Sequence, residues 1–288
     1  KTEYALYLEA LHFYERNRRP KSHGRPEQTV FPLSDDGFLP TPPPDVTTSV
    51  EKTADGARFK SISASGELVF DIRPADGCLT GIRGRWSKGV GFQPCQGGGL
   101  LTAENTPASG TLISNWLEGD HYIARWKDHA DRQWRADYSL KGRSMVVDIA
   151  APGGWAAGTA FGDVDGIPAV KTIEVPYLKL TRYGTMTHFA AGDGIFVSVL
   201  PDLYHSDYSM VDAGSPRAED DRATLLNKTV YTPLTSGRRN DVRDRIMITV
   251  SSEFADALPN HRNPRSPNLE RLAPYMFVMG RALDLERW

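Results

Sequence analysis

Long apolar runs are missing from this 288-residue chain, and no segment approaches the roughly 20 consecutive residues that a bilayer-spanning helix needs. Cysteine is scarce. Cys78 and Cys95 are too few for a disulfide framework or a zinc cluster, although one bridge in an oxidising compartment stays open. A surplus of positive charge is also lacking. Lys plus Arg (34) nearly balance Asp plus Glu (36), and a net charge of -2 attracts neither nucleic acid nor an anionic membrane. The chain carries no G-x-S-x-G elbow, P-loop, H-E-x-x-H or C-x-x-C, so no cofactor or metal is expected. Asp163-Val164-Asp165-Gly166 starts like a calcium loop, but the later ligands are absent and a turn is expected there. No signal peptide is visible. The chain begins at Lys1, so a removed leader remains compatible with the sequence.

What is present is ordinary globular composition, 40% hydrophobic and 24% charged, with 26 Gly and 20 Pro favouring turns and short strands. Residues 2–16 predict an amphipathic helix, with Ala5, Leu8 and Leu11 on one stripe, stopped by Pro20. The Pro-rich segment 17–48 predicts an extended arm over a surface. From about residue 57 the hydrophobic period becomes two. Residues 68–72, a turn at 74–77 and residues 78–85 read as a hairpin. In 133–141, Trp134, Ala136, Tyr138 and Leu140 face one way and Gln133, Arg135, Asp137 and Ser139 the other. Gly142-Arg143 turns into a strand at 144–149, and others are expected at 120–127, 171–182, 185–190, 195–200, 203–210, 228–232 and 244–251. Arg217 to Arg222 reads as a solvated loop. About ten strands without intervening helices predict a mainly β fold, an antiparallel β-sandwich with an N-terminal helix and a Pro-rich arm. The expected domains are 1–48 (helix and arm), 49–256 (sandwich) and 257–288. The last is a Pro/Asn-rich linker leading into the apolar stretch 275–279, the start of a following domain.

Three stretches have the residue types for chemistry. Trp116, Glu118, Asp120, His121, Tyr122, Trp126, His129 and Trp134 cluster in 116–134. Aromatic rings stack on sugar C–H faces and carboxylates take hydroxyls, so Trp116, His121 and Trp126 are candidate carbohydrate contacts, against a plain core role for the rings. In 202–208 an extended chain would project His205 and Asp207 together as a base and its orienting carboxylate, with Tyr204 and Tyr208 opposite as sugar contacts. A structural hydrogen bond at a strand end explains the same pair. In 235–241, Arg238 and Arg239 carry forks suited to carboxylates, uronic acids included, or to an ion-pair network with Asp241 and Asp244. Asn227-Lys228-Thr229 fits a glycosylation sequon.

Val175-Pro176-Tyr177-Leu178, then Asp202 to Ser209, then Tyr231 to Asn240, then Leu258 to Pro267 recur in that order in a way that resembles one family. It is the amino-terminal region of large bacterial proteins regarded as glycoside hydrolases. The resemblance spans roughly residues 120–288 and implies a galactose-mutarotase-like super-sandwich ahead of a catalytic (β/α) barrel. The catalytic residues would lie in that barrel, and Ser236 departs from the acidic residue expected in the Arg-rich loop. The expectation is an accessory β-sandwich of a carbohydrate-active enzyme, secreted or periplasmic. Its partners would be a polysaccharide or oligosaccharide and a C-terminal catalytic domain or partner subunit. The competing expectations are a structural or interaction module without a small ligand, and an enzyme using His205 with Asp207, or Glu118 with Asp120.

Overall fold

β-Branched and aromatic residues at alternate positions build antiparallel strands throughout the computed structural model. It describes residues 39–87, 89, 91–174, 188–202, 205–214, 216–225 and 227–259. These belong to one unit, Phe38–Asn260. The predicted helix at 2–16, nearly all of the arm and the terminal segment from 260 onward lie outside the described residues. Within them, helix is confined to a 3-10 turn at Pro74–Asp76 and a single turn at Phe254–Ala257.

Three antiparallel sheets result. The first sheet runs β1 (Thr47–Lys52), β2 (Ala57–Ser63), β3 (Gly66–Ile72), β4 (Ile82–Trp86), β5 (Gly91–Gln96), β12 (Asp163–Asp165), β18 (Arg222–Thr224), β17 (Arg217–Glu219). The second runs β13 (Lys171–Glu174), β14 (His188–Gly192), β15 (Ile195–Pro201), β20 (Val242–Ser251), β10 (Ser144–Ala151), β9 (Gln133–Lys141), β8 (His121–Lys127), β7 (Thr111–Glu118). A smaller sheet runs β16 (Met210–Ala213), β19 (Asn227–Val230), β11 (Ala156–Ala160), β6 (Gly99–Thr102).

The period-two pattern is realised as written at β9: Trp134, Ala136, Tyr138 and Leu140 are buried, while Gln133 and Arg135 are exposed. The inner faces of all three sheets share one core. Phe59, Phe70 and Ile72 of the first sheet join Tyr122, Trp126, Tyr138, Val147 and Ile248 of the second and Leu100 and Ala156 of the third. Two of the large polar-tipped aromatics there find backbone partners, whereas the Tyr122 hydroxyl is enclosed without one. Trp126 Nε1 donates to the Pro74 carbonyl at 2.9 Å and Tyr138 OH to that of Cys78 at 2.6 Å, tying the second sheet to the connection after β3. Cys78 and Cys95 are both free thiols in this core, and burial pushes the Cys78 thiol up to about 11.

Several local expectations need correction. Residues 205–209 are not a strand, because the chain leaves β15 and bonds to β20 through isolated contacts. Asp207 N–H donates to the Arg243 carbonyl at 2.9 Å, and Arg245 N–H donates to Ser206 Oγ at 2.9 Å. Asp163 to Asp165 form strand β12 rather than a turn, with Asp163 taken by Arg222. The charged run 217–222 is the β17–β18 hairpin, turning at Asp220 with φ 52°. The sequon sits inside β19 with Asn227 3% exposed, closed to a glycosylating enzyme in the folded chain.

The outer face of the second sheet is treated differently along its length. Toward the β9–β10 turn, Val146, Leu200 and Met247 are covered by Leu39. Gly142, at φ +59°, makes that turn and lies against Pro42, where a Cβ would come within 2.4 Å of the proline ring. Further along the same sheet most outer positions are charged and left open, although Ile123 of β8 is buried.

Candidate functional site

Cross-strand register arranges those open positions in rows, since facing residues on adjacent strands share a face. Ile123, Asp137, Asp148 and Arg245 form one row across β8, β9, β10 and β20. Arg125, Arg135, Ala150 and Arg243 form the next. A depression of about 560 Å³ lies over them, lined by Arg125, Arg135, Asp137, Asp148, Ala150, His205, Asp241 and Arg243. A second, of about 630 Å³, shares Asp241 and Arg243 with it and adds Asp207 from the segment between β15 and β16 and Leu234, Arg238 and Arg239 from the loop after β19.

Asp137, Asp148 and Asp241 already have partners. Arg245 clamps Asp148 in a bidentate pair, Nε at 2.7 Å and Nη2 at 2.9 Å. His121 Nδ1 meets Asp137 Oδ1 at 2.7 Å. Burial raises the Asp137 carboxyl above its ordinary value while the imidazole works against that shift. Asp241 accepts the Gly153 N–H at 2.8 Å, so the expected Arg238–Arg239–Asp241–Asp244 ion-pair network does not form. The guanidiniums are less committed. Arg125 stacks over Trp116 at 5.0 Å, and Arg239 Nε donates to the Tyr231 carbonyl at 3.1 Å. Among the described residues, Arg135, Arg238 and Arg243 form no ion pair with a carboxylate.

His205 stands at the edge of this depression. Its Nδ1 lies 2.6 Å from Oδ2 of Asp202, a carboxylate with 0% residue exposure. An acceptor-only carboxylate requires the proton on Nδ1, which leaves Nε2 as the imidazole's other hydrogen-bonding atom. The partner is therefore Asp202, three residues back, and not Asp207, because the segment is a turn rather than an extended strand.

Beneath the row, Asp244 points into the core from β20. It accepts Thr159 Oγ1 at 2.7 Å, Thr229 Oγ1 at 2.6 Å and Tyr231 OH at 2.9 Å. Burial lifts this carboxyl above the usual range in spite of the three hydroxyls. It ties β20 to β11 and β19 and so fixes the strand that carries Arg243 and Arg245.

The sequence candidates separate accordingly. His205, Arg238 and Arg239 line the two depressions, with Asp207, and His121 borders them through Asp137. Trp126 is 2% exposed and belongs to the core, so it is not a sugar platform. Trp116 is on the outer face, half-buried, with Arg125 over its ring and Nε1 donating to Glu118 at 3.3 Å. Tyr208 packs against the core with its hydroxyl enclosed and unpaired, and burial pushes that hydroxyl up. Tyr204 lies outside the described residues. Arg135 and Arg243 were not candidates. Arg135 is signalled by the β9 alternation, whereas Arg243 needed the start of β20 two residues before the expected strand.

No family model and no curated protein matches the chain. Among solved structures, a heparinase III with methylated lysines is similar at 12% identity and a TM-score of 0.42. The match covers 77% of this chain and 37% of that one, so the chain spans well under two thirds of that structure's length. A likeness of this degree assigns neither a family nor an activity.

Proposed function

We propose that this chain is an accessory β-sandwich of a carbohydrate-active, polysaccharide-degrading enzyme, contacting saccharide through the outer face of its second sheet. The observation that carries the reading is the depression over β8, β9, β10 and β20, where donor forks and an oriented imidazole converge on an open floor. Such a set suits a ligand dense in oxygen acceptors and hydroxyls. The resemblance in segments 202–209 and 231–240 supports it, since both segments border the two depressions. A galactose-mutarotase-like super-sandwich serving a glycoside hydrolase barrel is the finer form of the proposal, working in a secreted or periplasmic setting.

Catalysis is not proposed for this chain. Glycoside hydrolysis uses a pair of carboxyl groups free to exchange protons with substrate. Asp137, Asp148 and Asp241 are instead held by His121, Arg245 and Gly153. Calorimetry of the 288-residue chain against a panel of neutral and acidic oligosaccharides tests the proposal. Binding heat with at least one class, weakened about tenfold by His205→Ala, is expected, as one hydrogen bond of about 1.4 kcal/mol would give. Silence across the whole panel would remove it.

A further inference from the structure

One row of the depression carries like charges in a way that the fold alone does not explain. Arg125 and Arg135 are directly opposed across β8 and β9, an arrangement of like charges that destabilises a sheet. Arg125 has the Trp116 ring as compensation. Arg135 has no carboxylate partner, nor does Arg243 two strands away, although Asp137 and Asp148 lie in the adjacent row. Those two acids make their close contacts with His121 and Arg245, and Arg135 acts on Asp137 through its charge without forming an ion pair. Between Arg135 and Arg243 the row contains Ala150, whose methyl leaves the floor low. Two strand spacings put the flanking backbones roughly 10 Å apart. Two exposed arginines that flank a small residue on one sheet face have the donors to act together on an oxyanion. Guanidinium binds carboxylate or sulfate groups in bidentate fashion, which lysine cannot do.

We infer that the gap between Arg135 and Arg243 over Ala150 is a subsite for the acid groups of an acidic glycan, carboxylated or sulfated. The inference rests on the saccharide-contact reading and adds the ligand's charge. His205, at the rim, is available to a hydroxyl of the same chain. Arg238, in the adjoining depression, extends the cationic path. Asp137, Asp148 and Asp241 line the same depression and the chain's net charge is -2, so neither the depression nor the whole surface is a general cationic patch. Affinity should therefore depend on these side chains and not on general attraction to polyanions.

The test is calorimetric titration of the full chain with oligogalacturonate, a heparin-derived oligosaccharide, an uncharged cello-oligosaccharide and a single-stranded oligonucleotide, each at low and high salt. The inference predicts that at least one acidic glycan binds and that binding weakens with salt. It also predicts loss of about tenfold or more in Arg135→Gln and in Arg243→Gln, and no change in Arg217→Gln, an exposed arginine of the first sheet. Both test arginines are exposed, so the melting temperature should stay close to that of the parent. If a variant fails to fold, the salt response and charge preference of the parent still decide. The two acidic arms separate carboxylate from sulfate. Binding of the uncharged sugar alone would overturn the inference and leave the saccharide reading intact. Equal binding of the oligonucleotide would reduce the face to a general polyanion surface and overturn it too. No binding by any sugar would remove both.

Discussion

Asp244 and Arg143 show how single buried charges set this fold's energetics. Asp244 carries a carboxyl raised by burial. A carboxyl whose folded-state value is raised favours the protonated native state. Its contribution is fully present below the unfolded value of about 3.9 and is lost as pH rises through the folded value. Asp244→Asn should therefore flatten the decline in melting temperature on the alkaline side of that range, measured by thermal melts across pH. An unchanged slope would count against the assignment. Asp244→Ala leaves Thr159, Thr229 and Tyr231 hydroxyls without their shared acceptor and should cost about 2–4 kcal/mol in urea unfolding. Arg143, 1% exposed, lies over Trp86 at 4.5 Å and donates to the Ser61 carbonyl at 3.3 Å, Ser65 Oγ at 2.9 Å and the Gly66 carbonyl at 3.0 Å, as well as to Ser63 Oγ. Its replacement by Met keeps the stem but abandons those acceptors. A loss of about 1–3 kcal/mol is expected by the same measurement.

At the level of strands, the contact between β11 and β19 depends on Gly158. Its φ is +148° and an added Cβ would stand 2.0 Å from the Thr229 carbonyl oxygen. Gly158→Ala should separate these strands at a cost of at least about 2 kcal/mol, read as a lower urea midpoint with faster amide exchange at 227–230. Alternation made β9 and its faces legible, because a sheet with a single buried side writes burial directly into every second residue. The same rule failed at 205–209. Polar and aromatic residues mix there as well, but the backbone N–H of His205 turns back to Asp202, that of Asp207 goes to Arg243 of β20 and that of Ser209 to Val230 of β19. Likewise the aromatics in 116–134 announced a functional cluster, yet Tyr122, Trp126 and Trp134 were spent on the core. Composition signals rings, and only register says which side they take. The arginine row was hidden for a related reason: Arg125, Arg135 and Arg243 are far apart in sequence and meet through pairings that no local window contains.

Across the whole unit, the division of labour is between a shared interior and one selectively open exterior. The sheets are joined by a common core, by buried hydrogen bonds that Trp126 and Tyr138 donate and by those that Asp244 accepts. On the second sheet's outer face, Leu39 closes the apolar end, while the arginine-bearing end is left to solvent. No described helix is long and apolar enough to cross a membrane. The account's central claim is that saccharide meets the molecule on that exposed end. Hydrogen exchange of the full chain, with and without the acidic oligosaccharide that binds best, tests it most directly. Slowed exchange confined to β8, β9, β10, β20 and the segments 205–209 and 234–243 is the predicted result. Protection centred on the first sheet, or none at saturating sugar, would contradict it.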